Sequence, residues 1–212
     1  MNDPVDYGVA IFVPPAILDE AYRLTKVLTG LRIPLVYELD ARTIPHITLF
    51  QGRFLTMAHA EEGWEALHEI VLPVLRKKQV SVGMSRQIEV RANNGNIFWN
   101  CFRDVALREL HERVAFHMQL YTSGLLMEQS VKAMANAENE DVKKRIERYG
   151  VVASASAYHP HVTLARLQSL LNTQVVNTTV LPQGFEFQVE KICFGPLNQY
   201  GQMSSAGLEI LT

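Results

Sequence analysis

Two nearly identical five-residue segments hold the side chains best suited to chemistry in this 212-residue chain. The first, PHITL, starts at position 45, and the second, PHVTL, starts at position 160. Successive side chains of a β-strand point to opposite faces, so His46 would share one face with Thr48. His161 would share a face with Thr163 in the same way. Each segment is therefore predicted to present an imidazole and a hydroxyl group, with apolar side chains directed into a core.

Such a pair of faces is suited to the cleavage of a phosphodiester bond. One group must take a proton from the attacking oxygen, another must protonate the leaving oxygen, and histidine can do either near neutral pH. Threonine hydroxyls can donate hydrogen bonds to the non-bridging phosphate oxygens. We predict that His46 and His161 are the catalytic acid/base pair. Thr48 and Thr163 would then bind the phosphate, and this chemistry requires no metal or cofactor.

Two other interpretations of the repeated segments are weaker. Retention for packing alone would favour apolar residues on both faces of the strands. A zinc site at His159 and His161 would need three or four ligands, and the sequence offers neither an HExxH helix nor a cysteine cluster. Cys101 and Cys193 lie in strand-like runs without metal-type spacing, so we expect buried, reduced thiols.

The remaining histidines carry weaker signals. His59 and His111 are expected to be exposed on helices. His68 follows Trp64 by four residues and His117 lies beside a predicted apolar stripe, so packing roles are favoured for both.

The order strand, helix, His-bearing strand, helix, strand occurs twice, which predicts an internal duplication within one bilobal domain spanning 1–212. The first repeat covers about 7–92 and the second about 96–212. The first helix would start at Pro15 and end at Gly30, and a single strand is expected over residues 185–194. A closing strand should lie near the end of the chain.

The second repeat is longer than the first because of a segment at about 125–155. Its sequence predicts an inserted helix with a thin apolar stripe, C-capped by Gly150. The segment would be either a lid over the site or a solvated surface helix, and charged helix faces favour the second alternative.

Composition places the chain among ordinary globular proteins, with 48% hydrophobic and 20% charged residues. The net charge of −2 argues against coating nucleic acid through bulk charge but leaves room for recognition of one terminal phosphate. The first residues lack a basic region and a long apolar run, so we expect a cytoplasmic protein without membrane association.

The segments PHITL and PHVTLAR resemble the paired His-x-Thr signature of the 2H phosphoesterase superfamily, and within it the 2′-5′ RNA ligase and RNA cyclic phosphodiesterase group. The resemblance covers nearly the whole chain. It implies an α+β, bilobal, pseudo-two-fold fold, with two antiparallel sheets lining a central cleft and helices on the outside. It also implies metal-independent chemistry on 2′,3′-cyclic or 2′-5′ linked nucleotide or RNA ends, with RNA ligation as a side activity. By analogy His161 would activate water and His46 would protonate the leaving oxygen, although the reverse is open in a pseudo-symmetric site.

The resemblance also suggests residues around the substrate. Arg166 matches a position where similar proteins often carry arginine, but its odd offset from His161 requires a bulge or strand end to turn it inward. It would hold phosphate or stack on a base, and a surface arginine is an equal alternative. Gln51, a departure from the family pattern, is a further candidate for substrate contact. Tyr158, which flanks the second motif, is another candidate, and support of the strand is an equal alternative for it.

The partner expected from these motifs is a small nucleotide or RNA terminus, with no stable protein partner implied. The alternative function is a non-catalytic nucleotide or RNA-end binding protein on the same scaffold.

Overall fold

The computed structural model describes residues 3–77, 80–102, 104–137, 139–150 and 157–212. Within them the chain forms nine β-strands and six α-helices. The strands are β1 (Val5–Phe12), β2 (Leu35–Glu38), β3 (His46–Phe54), β4 (Ser81–Val90), β5 (Asn96–Cys101), β6 (His161–Leu167), β7 (Phe185–Gln188), β8 (Ile192–Pro196) and β9 (Glu209–Leu211). The helices are α1 (Pro15–Gly30), α2 (Met57–Arg76), α3 (Val105–Gln119), α4 (Glu128–Ala135), α5 (Glu140–Tyr149) and α6 (Thr173–Thr179).

All nine strands belong to one curled antiparallel sheet. The order is β7-β4-β5-β6-β3-β1-β8-β9, and the short strand β2 also pairs with β6. The two His-bearing strands, β3 and β6, lie in the middle and are joined at the pair Ile47 and Val162. The predicted α+β fold with antiparallel strand pairing is confirmed. In place of the two expected sheets there is one curled sheet, which is continuous through this pair.

The two segments predicted to be repeats interlock in three dimensions. Strand β4 of the first repeat pairs with β5 of the second, and β8 of the second repeat pairs with β1 of the first. Helix α1 packs against β6, and α3 packs against β3. Each half of the sheet is therefore built from both repeats, and each His-bearing strand is covered by a helix of the other repeat.

The prediction of a single strand over residues 185–194 is wrong. The chain breaks after Gln188, β7 pairs with β4, and β8 pairs with β1. These two strands thus belong to opposite halves of the curled sheet. The alternation of FEFQ and the buried run at the start of ICFGP both indicate strand, so the sequence pattern alone does not reveal the break between them.

The helices follow their sequence signals. Helix α1 begins at Pro15 and ends at Gly30 as predicted, and its apolar face is fully buried. Helix α2 continues through Pro73 to Arg76. The side chain of Asp104 caps α3 by accepting hydrogen bonds from backbone N–H groups of the first turn.

No helix in the described part of the chain has the length and apolar content needed to cross a lipid bilayer.

Both cysteines are buried and unpaired, as predicted. Burial raises the pKa of both thiols, that of Cys193 to about 12. They are therefore protonated and inert near neutral pH.

The segment at 125–155 contains two helices, α4 and α5, where one was predicted. Gly150 adopts a φ of 72° and caps α5, so the predicted C-cap is confirmed. Ile146 and Tyr149 are buried, and α5 packs against α3. Helix α4 lies at the central cleft, which it lines with Gln129 and Ala133. Residues 151–156 of the predicted insertion lie outside the described residues.

Candidate active site

The two motif histidines are held by the same kind of local hydrogen bond. The Nδ1 atom of His46 lies 2.6 Å from the carbonyl oxygen of Ile44, and Nδ1 of His161 lies 2.6 Å from the carbonyl oxygen of His159. In each case a proline separates donor and acceptor residues. A carbonyl oxygen only accepts, so Nδ1 carries the hydrogen in both rings. Nε2 is therefore the ring atom left to exchange a proton with a substrate.

The four motif side chains line one cleft. His46 and Thr48 reach it from β3, and His161 and Thr163 reach it from β6. The cleft has a volume of about 540 Å³, within the range of small-molecule sites. A positive charge on the ring of His46 lowers the pKa of His161.

Enclosure by protein atoms keeps both rings neutral at neutral pH. Desolvation lowers the pKa of His46 below its ordinary value. The same cause lowers the pKa of His161 to about 3, assisted by the nearby charges of Arg91 and His46. The ring of His161 also stacks on Phe98, with centroids 3.6 Å apart.

The two motifs differ in the residue that pairs with their threonine on the neighbouring strand. Phe98 pairs with Thr163 across β5 and β6, while the corresponding partner of Thr48 on β1 is Ala10. Only the second motif therefore has an aromatic ring against its imidazole at this position. This difference makes the two histidines chemically unequal within a pseudo-symmetric frame.

Each His-bearing strand contains a β-bulge after its threonine. The extra residue of the bulge is Leu49 in β3, where the pairing with β1 shifts. In β6 it is Leu164, where the pairing with β5 shifts. The bulge moves the residue five positions after each histidine onto the His/Thr face, which is how Gln51 and Arg166 come to occupy equivalent places. The bulge predicted for Arg166 is thus present.

The two equivalent side chains each tether a loop at the rim of the cleft. Gln51 lines the cleft, and its Nε2 donates to the carbonyl oxygen of Gly201 at 2.6 Å. The Nε of Arg166 donates to the carbonyl oxygen of Asn94 at 2.8 Å. Arg166 lies outside the set of described residues that line the cleft. Its contact with substrate stays a prediction.

Tyr158 links the second motif to the first. Its hydroxyl donates to the carbonyl oxygen of Thr48 at 2.9 Å, and its ring stacks flat on His111 with centroids 3.8 Å apart. The Nδ1 atom of His111 lies 2.7 Å from the carbonyl oxygen of Leu49. These two side chains therefore bind consecutive carbonyls at the bulge of β3, although both belong to the second repeat.

The expected exposure of His111 is wrong, since the residue is only 3% exposed. Burial lowers its pKa to about 4. The sequence did carry a signal that we missed, because position 111 follows the buried Leu107 by four residues and so falls on the apolar stripe of α3.

His59, also expected to be exposed, is half-buried at the start of α2. Its Nδ1 lies 2.8 Å from the hydroxyl of Thr56, which caps the helix. His68 packs edge-on against Trp64, and His117 packs near Tyr121, in line with the packing roles predicted for both.

His159 joins a polar cluster beside His161. Its Nε2 lies 3.7 Å from Glu89, whose carboxylate also pairs with Arg91 at 3.1 Å and accepts a hydrogen bond from Asn100 at 2.9 Å. Among the described residues, no group of three or more His, Cys, Asp or Glu side chains is arranged to hold a metal ion.

The walls of the cleft are aromatic and polar. Tyr37 and Tyr200 stack with centroids 4.8 Å apart. The lining also includes six side-chain amides, which are Gln51, Asn93, Asn94, Asn96, Gln129 and Gln202.

Comparisons with known proteins place this arrangement in a known fold. Neither a family model nor a curated protein matches the chain by sequence. Apo LigT of E. coli superposes with a TM-score of 0.53 at 13% identity, covering 99% of this chain and 98% of LigT. The MHV ns2 PDE domain superposes with a TM-score of 0.50 at 9% identity, covering 98% of each chain. Similarity at this level of identity shows a shared fold, and the fold implied by the resemblance is therefore confirmed.

Proposed function

We propose that this protein is a metal-independent phosphodiesterase acting on 2′,3′-cyclic or 2′-5′ linked nucleotide or RNA ends. The observation that carries the proposal is the matched pair of imidazoles, each fixed through Nδ1 to a carbonyl and each lining the same cleft beside a threonine. The fold shared with the MHV ns2 PDE domain is consistent with it.

The proposed reaction on a 2′,3′-cyclic phosphate is an in-line displacement by water. Nε2 of His161 takes a proton from the attacking water as its oxygen bonds to phosphorus. One ribose P–O bond breaks, and the departing oxygen takes a proton from Nε2 of His46. The hydroxyls of Thr48 and Thr163 donate to the non-bridging oxygens, where negative charge accumulates. His161 ends protonated and His46 neutral, so one proton must move between them or through water before the next cycle.

The inequality of the two histidines supports this direction of proton transfer. His161 stacks on Phe98 and has the strongly lowered pKa, so it enters the reaction neutral, as a base must. His46 must be protonated to act as the acid. A bound phosphate anion favours its protonation, because opposite charges within a few ångströms raise the pKa of an imidazole.

RNA ligation follows from the same geometry as a side activity. If a ribose hydroxyl replaces water as the nucleophile on a 2′,3′-cyclic end, the same acid and base produce a new phosphodiester.

The test is turnover of a panel of 2′,3′-cyclic nucleotides and 2′-5′ dinucleotides by purified protein in excess EDTA. We expect turnover by the parent and a loss of about a hundredfold or more in His46→Ala and in His161→Ala. His59→Ala is the matched control, since it removes an imidazole outside the cleft and should retain activity.

Two outcomes would reject the proposal. Activity that disappears in EDTA would contradict the metal-independent mechanism. Nucleotide binding by the folded parent without turnover of any member of the panel would instead favour the non-catalytic binding protein.

A further inference from the structure

The described residues that line the cleft include no lysine, arginine, aspartate or glutamate. Their polar groups are amides, hydroxyls and imidazoles. Sites that bind several phosphates usually surround them with lysine and arginine, since each phosphate needs a compensating charge. The lining of this cleft is therefore unsuited to a polyanion.

Two arginines lie beside the cleft, and contacts with neighbouring groups hold each of them outside it. Arg91 pairs with Glu89 and lies over the ring of Phe98 at 5.4 Å. Arg166 donates its Nε to the carbonyl oxygen of Asn94. Neither is among the residues that line the cleft.

The histidines and threonines of the two motifs can compensate one negative charge. A single phosphodiester brings one charge, which one protonated imidazole can match while two threonine hydroxyls bind the oxygens. A second phosphate in the cleft would face neutral amides and tyrosines. Taking a charge out of water without an opposite charge is costly, so this second phosphate would oppose binding.

We infer that the cleft selects substrates with a single phosphate, namely nucleoside 2′,3′-cyclic monophosphates and dinucleoside monophosphates, and discriminates against the same molecules carrying an additional terminal phosphate. This inference rests on the proposed function and narrows its substrate class. The rest of such a substrate is uncharged nucleoside, which suits the lining. Tyrosine faces stack on bases, and asparagine and glutamine pair with base edges.

The test compares matched substrates that differ in one phosphate. Adenosine 2′,3′-cyclic monophosphate is compared with its 5′-phosphorylated form, and the 2′-5′ dinucleotide ApA with its 5′-phosphate. We expect the added 5′-phosphate to lower kcat/KM by about tenfold or more in both pairs. Equal or faster turnover of the 5′-phosphorylated members would overturn the inference.

A positive charge placed at the mouth of the cleft should weaken the discrimination against the additional phosphate. Asn93 is exposed and lines the cleft. In Asn93→Lys we expect kcat/KM for the 5′-phosphorylated substrates to rise several-fold relative to the unphosphorylated ones. Asn93→Gln changes the same position without adding charge and should keep the parent's preference. If Arg166 instead serves a second phosphate, the parent will prefer the phosphorylated substrates and Arg166→Gln will abolish that preference, which refutes the inference.

Calorimetric binding separates failure of this inference from failure of the proposed function. Adenosine 3′-monophosphate is compared with adenosine 3′,5′-bisphosphate. If no phosphodiester is turned over but the monophosphate binds more tightly, the proposed function fails and single-phosphate selection holds. Tighter binding of the bisphosphate contradicts the selection whether or not catalysis is observed.

Discussion

At the scale of single residues, the chemistry depends on which nitrogen of each histidine is free. The carbonyl two residues before each ring binds Nδ1, and the intervening proline belongs to the repeated segment itself. Nε2 is thereby presented in both motifs with the same tautomer. What distinguishes the two rings is their surroundings, since only His161 stacks on Phe98.

Under the proposed mechanism, this difference predicts the pH dependence of catalysis. His161 must be neutral to act as base, and its pKa of about 3 places the acidic limb of the kcat/KM profile far below neutral pH. His46 must be protonated to act as acid, and its lowered pKa places the basic limb below 6.5. We therefore expect kcat/KM to decline as pH rises above this limb.

The basic limb of kcat, measured at saturating substrate, should lie at higher pH than that of kcat/KM, because the bound phosphate stabilises the protonated ring of His46. The measurement is a pair of pH–rate profiles at constant ionic strength. A kcat/KM profile that stays flat from pH 5 to pH 9 would contradict the acid/base pair.

At the scale of secondary-structure elements, β-bulges decide which side chains reach the cleft. At the bulge of β3 the hydroxyl of Tyr158 donates to the carbonyl oxygen of Thr48, and Nδ1 of His111 lies 2.7 Å from the carbonyl oxygen of Leu49. These contacts connect the strand of one motif to the segment just before the other. We infer that they fix the position of Thr48 relative to His161.

Removal of one hydroxyl tests this link. In Tyr158→Phe the stack on His111 can remain while the hydrogen bond to Thr48 is lost. The loss of this bond lowers the free energy of unfolding by about 1 kcal/mol. We expect kcat to fall several-fold with a smaller change in KM. Tyr22→Phe is the matched control, since Tyr22 also donates to a threonine carbonyl, at 3.0 Å, but does not line the cleft. Equal kinetic effects in both variants would show that Tyr158 has only a structural role.

At the scale of the whole molecule, the packing between the two predicted repeats both stabilises the fold and positions the residues of the site. Each His-bearing strand is covered by a helix from the other predicted repeat, and the residues on either side of the pair Ile47 and Val162 line the cleft. Burial of neutral histidines at this junction couples folding to pH.

His111 should make the protein less stable in acid. Its pKa is about 4 in the fold against 6.5 in the unfolded chain, so only the unfolded chain binds a proton between these values. The free energy of unfolding should therefore fall as pH decreases from about 6.5 to about 4, by about 3 kcal/mol from this residue. The measurement is urea unfolding of the parent and of His111→Gln at pH 7 and pH 4.5. The variant should lose less stability over this range, and an equal loss would contradict the assignment.

The sequence by itself determined the local features of this protein. Alternation within PHITL and PHVTL predicted which side of each strand carries His46, Thr48, His161 and Thr163. Pro15, Gly30 and Gly150 marked helix ends where the structure has them. The odd offset of Arg166 required a bulge or a strand end, and β6 has the bulge. All of these depend on interactions within a few residues, which a sequence displays directly.

Only the tertiary structure decided how the two halves meet. It buried His111, joined Tyr158 to the carbonyl of Thr48, separated β7 from β8 and tethered Arg166 to Asn94. Each of these outcomes depends on which faces of distant segments pack together. That choice is made by burial of apolar surface across the whole sheet, and the local pattern of any one segment is compatible with several such pairings.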